Sequence, residues 1–160
     1  MKDLVPIAEQ IALRLIERKQ TIAVAESSTG GLISASLLAV PGASAYFLGG
    51  GVIYTRDARR ILMDIPDEAM KGIRSASEPY ARLLANQIRT RFGTDWGLSE
   101  TGATGPTGNR YGDAAGHSCM GLAGPENAEI TLETGSGDRF ANMHSFASAA
   151  LNLLLQNLSR

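Results

Sequence analysis

The sequence predicts an α/β layered domain, because short strand-like runs alternate with segments of helical apolar spacing along its length. The last two strand-like runs, joined by GPENA, add an antiparallel pair to that sheet. A length of 160 residues with 44% hydrophobic and 19% charged residues is the size of one compact domain, residues 1 to 160. No internal repeat, low-complexity tract or long polar linker divides it.

Leu4, Ile7, Ala8, Ile11, Ala12, Leu15 and Ile16 share one helical face, with Asp3 as the expected N-cap of a first helix. TIAVA, residues 21 to 25, is a β-branched run that reads as a strand. From Ser28 the chain takes up helical spacing until Pro41 and Gly42 stop it. Ala45 to Thr55 reads as a strand whose three glycines imply a bulge or a close backbone approach. RDARRILMDI then forms a short helix capped by Thr55. Ser77 before Glu78 and Pro79 starts a helix that runs to Phe92. Residues 95 to 101 form a strand, and a glycine-rich loop extends from Gly102 to Gly116. Two further strands begin at His117 and Glu129, and a last helix runs from about Asp138 to Leu158. In such sheets ligands bind beyond the C-terminal strand ends.

A formal charge of -1 leaves no broad electrostatic footprint for nucleic acid or an anionic membrane, so any anion recognition must be local. A single cysteine, Cys119, excludes an internal disulfide framework and any cysteine-rich metal site. The N-terminal segment lacks the pattern of a secretory signal, and no stretch approaches the ~18 apolar residues of a membrane span. The expected location is the cytoplasm. The unusual numbers are eighteen glycines and only 6% aromatic residues. Glycine loses more backbone entropy on folding than any other residue, so its clusters mark places where bare backbone is needed.

AESSTGG, residues 25 to 31, sits between the first strand and the second helix, where Glu26, Ser27, Ser28 and Thr29 converge with Gly30 and Gly31. The first N–H groups of a helix lack internal partners, so this turn is a candidate to hold a phosphate or a developing oxyanion. The alternative is purely structural: Ser28 or Thr29 as an N-cap, and glycines that permit helix packing. After GGGVIYT come Arg56, Arg59 and Arg60, either a phosphate grip or a solvated helix face. ETGATGPTGNRYGDAAG, residues 100 to 116, offers the backbone of Gly102, Ala103, Thr104 and Gly105 to a substrate pocket. With no lysine after Lys71 it is not a nucleotide-hydrolase P-loop. Arg139, in SGDR, occupies the wrong end of a helix for a cation, which suits it to an anion or to a surface ion pair. His117 and His144 lack metal-ligand spacing, and nothing requires Glu100, Asp113 and Asp138 to gather around an ion.

Taken in order, AESSTGG, GGGVIYTRDAR, SASEP, the ETGATGPTG loop and SGDR resemble the C-terminal domain family of the competence/damage-inducible protein CinA. The likeness covers almost the whole chain and implies a three-layer α/β/α sandwich with a mostly parallel mixed sheet, assembled as a homo-oligomer. Members that occur alone act as nicotinamide-nucleotide amidases, converting nicotinamide mononucleotide to nicotinic acid mononucleotide and ammonia. The implied partner is thus a small phosphorylated nucleotide, with no cofactor, no metal, no nucleic acid and no membrane. The resemblance also implies that the molybdopterin-related N-terminal domain of CinA is absent.

The family's AESCTGG makes Ser27 the implied nucleophile, with Ser28 in place of the usual cysteine. Tyr54 matches the family's tyrosine, and Arg139 is the implied phosphate ligand. Two departures stand out. Arg59 occupies the position of a lysine understood to take the serine proton, and a guanidinium donates hydrogen bonds but does not accept that proton. Glu26 and Lys71 are the alternative acceptors. Met143 stands where the family commonly has a second arginine. The sequence therefore supports an amidase in which amides near Thr29 and Gly30 stabilise the oxyanion. The alternatives, placed after it, are a homologue that binds a phosphorylated ligand without turnover and a hydrolase of another amide or ester.

Overall fold

The computed structural model describes residues 1–160. Five strands form one sheet in the order β2-β1-β3-β4-β5: β1 (Ile22–Glu26), β2 (Phe47–Val52), β3 (Trp96–Ala103), β4 (His117–Ala123) and β5 (Ala128–Glu133). β1 runs parallel to both β2 and β3, while β3–β4 and β4–β5 are antiparallel. Five helices cover the two faces: α1 (Val5–Arg18), α2 (Leu32–Leu38), α3 (Arg56–Met63), α4 (Glu78–Phe92) and α5 (Arg139–Leu158). The result is a three-layer α/β/α sandwich.

β1 shows why both layers are needed. Its alternate residues point to opposite faces. Ile22 and Val24 enter the larger core with Leu4, Ile11, Leu37 and Phe146, whereas Ala23 and Ala25 join Tyr80, Leu84 and Met63 on the other side. Burying each aliphatic side chain contributes about 2 kcal/mol. The chain leaves β1 through α2 on one face and returns to β3 through α4 on the other. β1 is thus the topological switch point, and the loops beyond β1, β2 and β3 open onto a shared crevice. No helix is long and apolar enough to cross a membrane.

Several expected boundaries move. Asp3 is not the first cap: Leu4 holds that position without a side-chain bond, and the entry turn is closed by Met1, whose carbonyl accepts from Leu4 and Val5. α2 begins at Leu32 rather than Ser28, because Gly30 and Gly31 take positive φ and keep residues 27–31 out of the helix. The glycine-rich loop starts late, since Gly102 and Ala103 still pair with Ser118 and His117 as the end of β3. The expected bulge lies at Leu48, where the register with β1 slips. A Cβ on Gly50 would stand 2.7 Å from Ser34 Oγ and 2.9 Å from the Val24 carbonyl, so α2 needs a bare strand there. The caps expected at Thr55 and Ser77 form, accepting from Ala58 and Tyr80 at 3.1 and 3.3 Å.

Candidate active site

β1 and β3 pair as far as Ala25 and Ser99, so the next residues, Glu26 and Glu100, emerge side by side beneath the turn that starts α2. Both are fully buried. Glu26 answers the helix: its carboxylate accepts from the backbone N–H of Gly31, Ile33 and Ser34 at 2.9, 3.1 and 2.9 Å. Hydroxyls of Thr29 and Ser34 complete its shell, each at 2.7 Å. These are the donors that a helix N-terminus leaves without internal partners. Glu100 answers the turn, accepting from the N–H of Ser27 and Thr29 at 3.1 and 3.0 Å and from Ser28 Oγ and Ser118 Oγ at 2.5 and 3.0 Å. Burial pushes the Glu100 carboxyl above its ordinary range, against the opposing pull of those bonds.

Between the two carboxylates the turn has little freedom. The Gly30 N–H donates to the Ser27 carbonyl at 3.1 Å, and those of Thr29 and Gly31 are taken by Glu100 and Glu26. The oxyanion donors expected near Thr29 and Gly30 are therefore committed to the fold. Ser28 N–H is the one amide of residues 27–31 that meets no protein acceptor. It follows Ser27 directly, the position from which a backbone donor serves a serine nucleophile in other hydrolases. Ser27 itself is half-buried, and its hydroxyl bonds to no protein group while lining a cavity of about 640 Å³.

That cavity gathers Tyr54, Arg56, Arg59 and Asp67 with Arg74, Tyr80, Thr101, Arg110 and Tyr111, and the Tyr80 hydroxyl lies against the Arg59 guanidinium. Arg59 is 7% exposed and its Nη2 donates to Asp67 at 2.8 Å. Arg56 clasps the same aspartate through two nitrogens. Arg60, expected on the same face, pairs with Asp57 instead and does not line the cavity. A second cavity, about 220 Å³, joins the first at Tyr54, Gly102 and Asn109 and contains Ser28, Ala103, Thr104, Gly105, Thr107, Gly108 and Arg139. Arg139 donates to the Gly105 carbonyl at 2.6 Å and to Tyr54 Oη at 3.3 Å, which ties α5 to the other loops. Asn142 supports this loop by donating to the Thr104 carbonyl at 2.9 Å. The N–H groups of Thr104, Gly105, Thr107 and Gly108 meet no protein acceptor.

Ser27, Tyr54 and Arg59 thus share one cavity, while Ser28, Gly102, Ala103, Thr104, Gly105 and Arg139 share the adjoining one. Glu26, Thr29, Gly30 and Gly31 line neither; they build the turn. Glu26 is no free proton acceptor, since five contacts surround its two oxygens. Lys71 is exposed and absent from the cavity wall. Met143 lies against the turn, with its methyl 3.1 Å from where a Cβ on Gly30 would stand. Glu100, Asp113 and Asp138 do not assemble: the first holds the turn, the second pairs with Arg74 at 2.6 Å, and the third caps α5.

The CinA C-terminal domain family matches residues 4–158. The chain belongs to this family. Among curated relatives, CinA-like proteins of a Synechococcus species and of Chlorobium limicola are 39% and 37% identical over 77% and 91% of the chain. The chain spans only 30% and 35% of their lengths, about a third of each. A crystal structure of a competence-damaged protein (CinA) superfamily protein from Klebsiella pneumoniae superposes with a TM-score of 0.90. It covers 98% of each chain at 24% identity, a likeness of fold. Within this CinA fold, sequence reasoning missed Glu100 as the anchor of the turn and Arg74, Arg110 and Tyr111 as cavity wall. Glu100 carried one usable signal, its place near the C-terminal end of the strand that the sequence predicts over residues 95 to 101. The other three lie in connections whose course only the fold reveals.

Proposed function

We propose that this CinA-type domain is a serine-dependent amidohydrolase of the nicotinamide-nucleotide amidase kind, acting on a phosphorylated pyridine carboxamide as a homo-oligomer. The observation that carries the reading is the Ser27 hydroxyl, unbonded and facing a cavity from a turn that two buried carboxylates hold rigid. Ser27 Oγ attacks the carboxamide carbon, and the developing oxyanion takes the N–H of Ser28. Collapse of this adduct breaks the carbon–nitrogen bond, and the departing nitrogen takes the proton given up by Ser27 and leaves as ammonia. Water then cleaves the acyl-serine, returning the hydroxyl proton to Ser27 and leaving the acid. Arg139 and the free amides of Thr104, Gly105, Thr107 and Gly108 suit the phosphate.

A specific observation favours a second reading, a ligand-binding homologue with weak or no turnover. Every carboxylate near Ser27 is already engaged: Glu26 and Glu100 by the turn, and Asp67 by Arg56 and Arg59, which hold it below the ordinary carboxylate range. Ammonia release from nicotinamide mononucleotide separates the two. The amidase reading expects release that Ser27→Ala reduces at least ~100-fold. Binding without release in the wild-type chain supports the second reading. Arg59→Lys supplies a group able to give up its proton, and on the amidase reading it raises the rate by about two orders of magnitude.

A further inference from the structure

Arg59 is buried beyond what its partners explain. Its side chain is 8% exposed, and of its five N–H donors Nη2 meets Asp67 at 2.8 Å while the Tyr80 hydroxyl is a second neighbour, which leaves most of the guanidinium's donors without a charged partner. Its Nε has neither water access nor an acceptor. Asp67 is divided, because Arg56 Nε holds the same Oδ1 at 3.0 Å and Arg56 Nη2 takes the other oxygen. One half-exposed carboxylate thus serves two guanidiniums. Across the cavity, Arg74 has Asp113 as its partner, but Arg110 has no carboxylate and donates to Tyr111 Oη at 3.0 Å. Both guanidiniums lie over the Tyr111 ring, at 5.4 and 5.1 Å from its centroid.

Four arginines and a single aspartate therefore line the large cavity together with three tyrosines. A buried guanidinium with spare donors is costly until an acceptor reaches it. Its planar fork matches a carboxylate, which accepts through both oxygens. A carboxamide in the same place offers one oxygen and turns an NH₂ donor toward donors. The tyrosine walls suit a flat ring bearing that group.

We propose that the large cavity is a carboxylate receptor, so that the chain prefers a phosphorylated ring carboxylate to the corresponding carboxamide. The carboxylate meets Arg59, with Arg56, Arg74 and Arg110 supplying the surrounding positive charge, while the phosphate occupies the Arg139 cavity. This rests on the reading of the joined cavities as a nucleotide pocket. On the amidase reading it makes the acid a tightly held product, and on the binding reading it makes the acid the ligand.

Calorimetry with nicotinic acid mononucleotide and nicotinamide mononucleotide tests it. The wild-type chain is expected to bind the acid at least about tenfold more tightly, and Arg59→Gln to abolish that preference. Arg110→Gln, at an exposed position that leaves the core intact, is expected to reduce the preference about threefold. Equal affinities in the wild-type chain, or a preference untouched by both substitutions, overturn the receptor and leave the pocket reading standing. Binding of neither nucleotide overturns the pocket reading, and the receptor with it.

Discussion

Glu26 and Glu100 follow the last residues paired between β1 and β3, are equally buried and disappear beneath the same turn, yet they differ in what faces them. Both oxygens of Glu26 meet backbone N–H groups, Gly31 and Ile33 on one and Ser34 on the other. Glu100 meets backbone donors through one oxygen only; its Oε1 faces the hydroxyls of Ser28 and Ser118. An amide cannot be turned into an acceptor, whereas a hydroxyl can rotate and become one. Thr29 Oγ1 lies between the two carboxylates, 2.7 Å from Glu26 and 3.0 Å from Glu100, and its single proton serves one of them at a time. The lesson is that equal burial does not mean equal need for charge.

The difference is broken most sharply by removing one oxygen from each. In Glu26→Gln the new NH₂ faces a backbone donor whichever way the carboxamide is turned. At least one buried N–H is then orphaned and a charge-assisted shell at the start of α2 is lost, at a cost of about 3 kcal/mol. In Glu100→Gln the NH₂ takes the Oε1 position and donates to the serine hydroxyls. Ser118 can redirect its own proton to the Thr101 carbonyl, which already lies 3.2 Å away. That substitution is expected to cost only about 1 kcal/mol. Urea denaturation of the two variants measures the gap, and equal losses would show that the hydroxyls do not reorient.

The same pair shows what was legible in advance. Every side-chain bond of Glu26 stays within eight residues of it, so the sequence AESSTGG contains acceptor, hydroxyls and glycines together. Its assignment to a ligand pocket rather than to the helix start failed because nothing in the sequence says which way a carboxylate points. Glu100 acts on residues more than seventy positions away, through a strand register that no local pattern encodes. The element order, the caps at Thr55 and Ser77 and the crowding around Gly50 were local and readable. Arg59 was noticed for its chemistry, but its company was not, since Arg74 and Arg110 reach it only when two distant connections fold over the sheet. Helix positions 56, 59 and 60 looked alike on a wheel, yet two line the cavity and one does not.

The smallest effect sharpens the comparison through pH. Burial raises Glu100, so the folded state keeps a proton that the unfolded chain releases near pH ~4.3, and stability falls as pH rises from there through the folded value. A second group behaves alike on the neutral side. Burial alone lowers His117, but Nδ1 on Glu133, Nε2 2.7 Å from the Ala76 carbonyl and the nearby Asp113 outweigh it and leave the ring raised. Because both ring nitrogens face oxygen acceptors, the imidazolium is the form that satisfies them. Its contribution is complete below ~6.5, the ordinary histidine value, and is lost as pH climbs through the folded one. Unfolding free energies measured between pH 4 and 9 are therefore expected to decline with rising pH through the loss of both protons, the Glu100 contribution starting to fall near pH ~4.3 and the His117 contribution near ~6.5. Glu100→Gln removes the decline that starts near pH ~4.3 and leaves the one that starts near ~6.5, and His117→Gln does the reverse. Profiles in which either variant parallels the wild-type chain would mean that the group concerned titrates alike in the folded and unfolded states, and that the hydroxyl side of Glu100 carries no proton of its own.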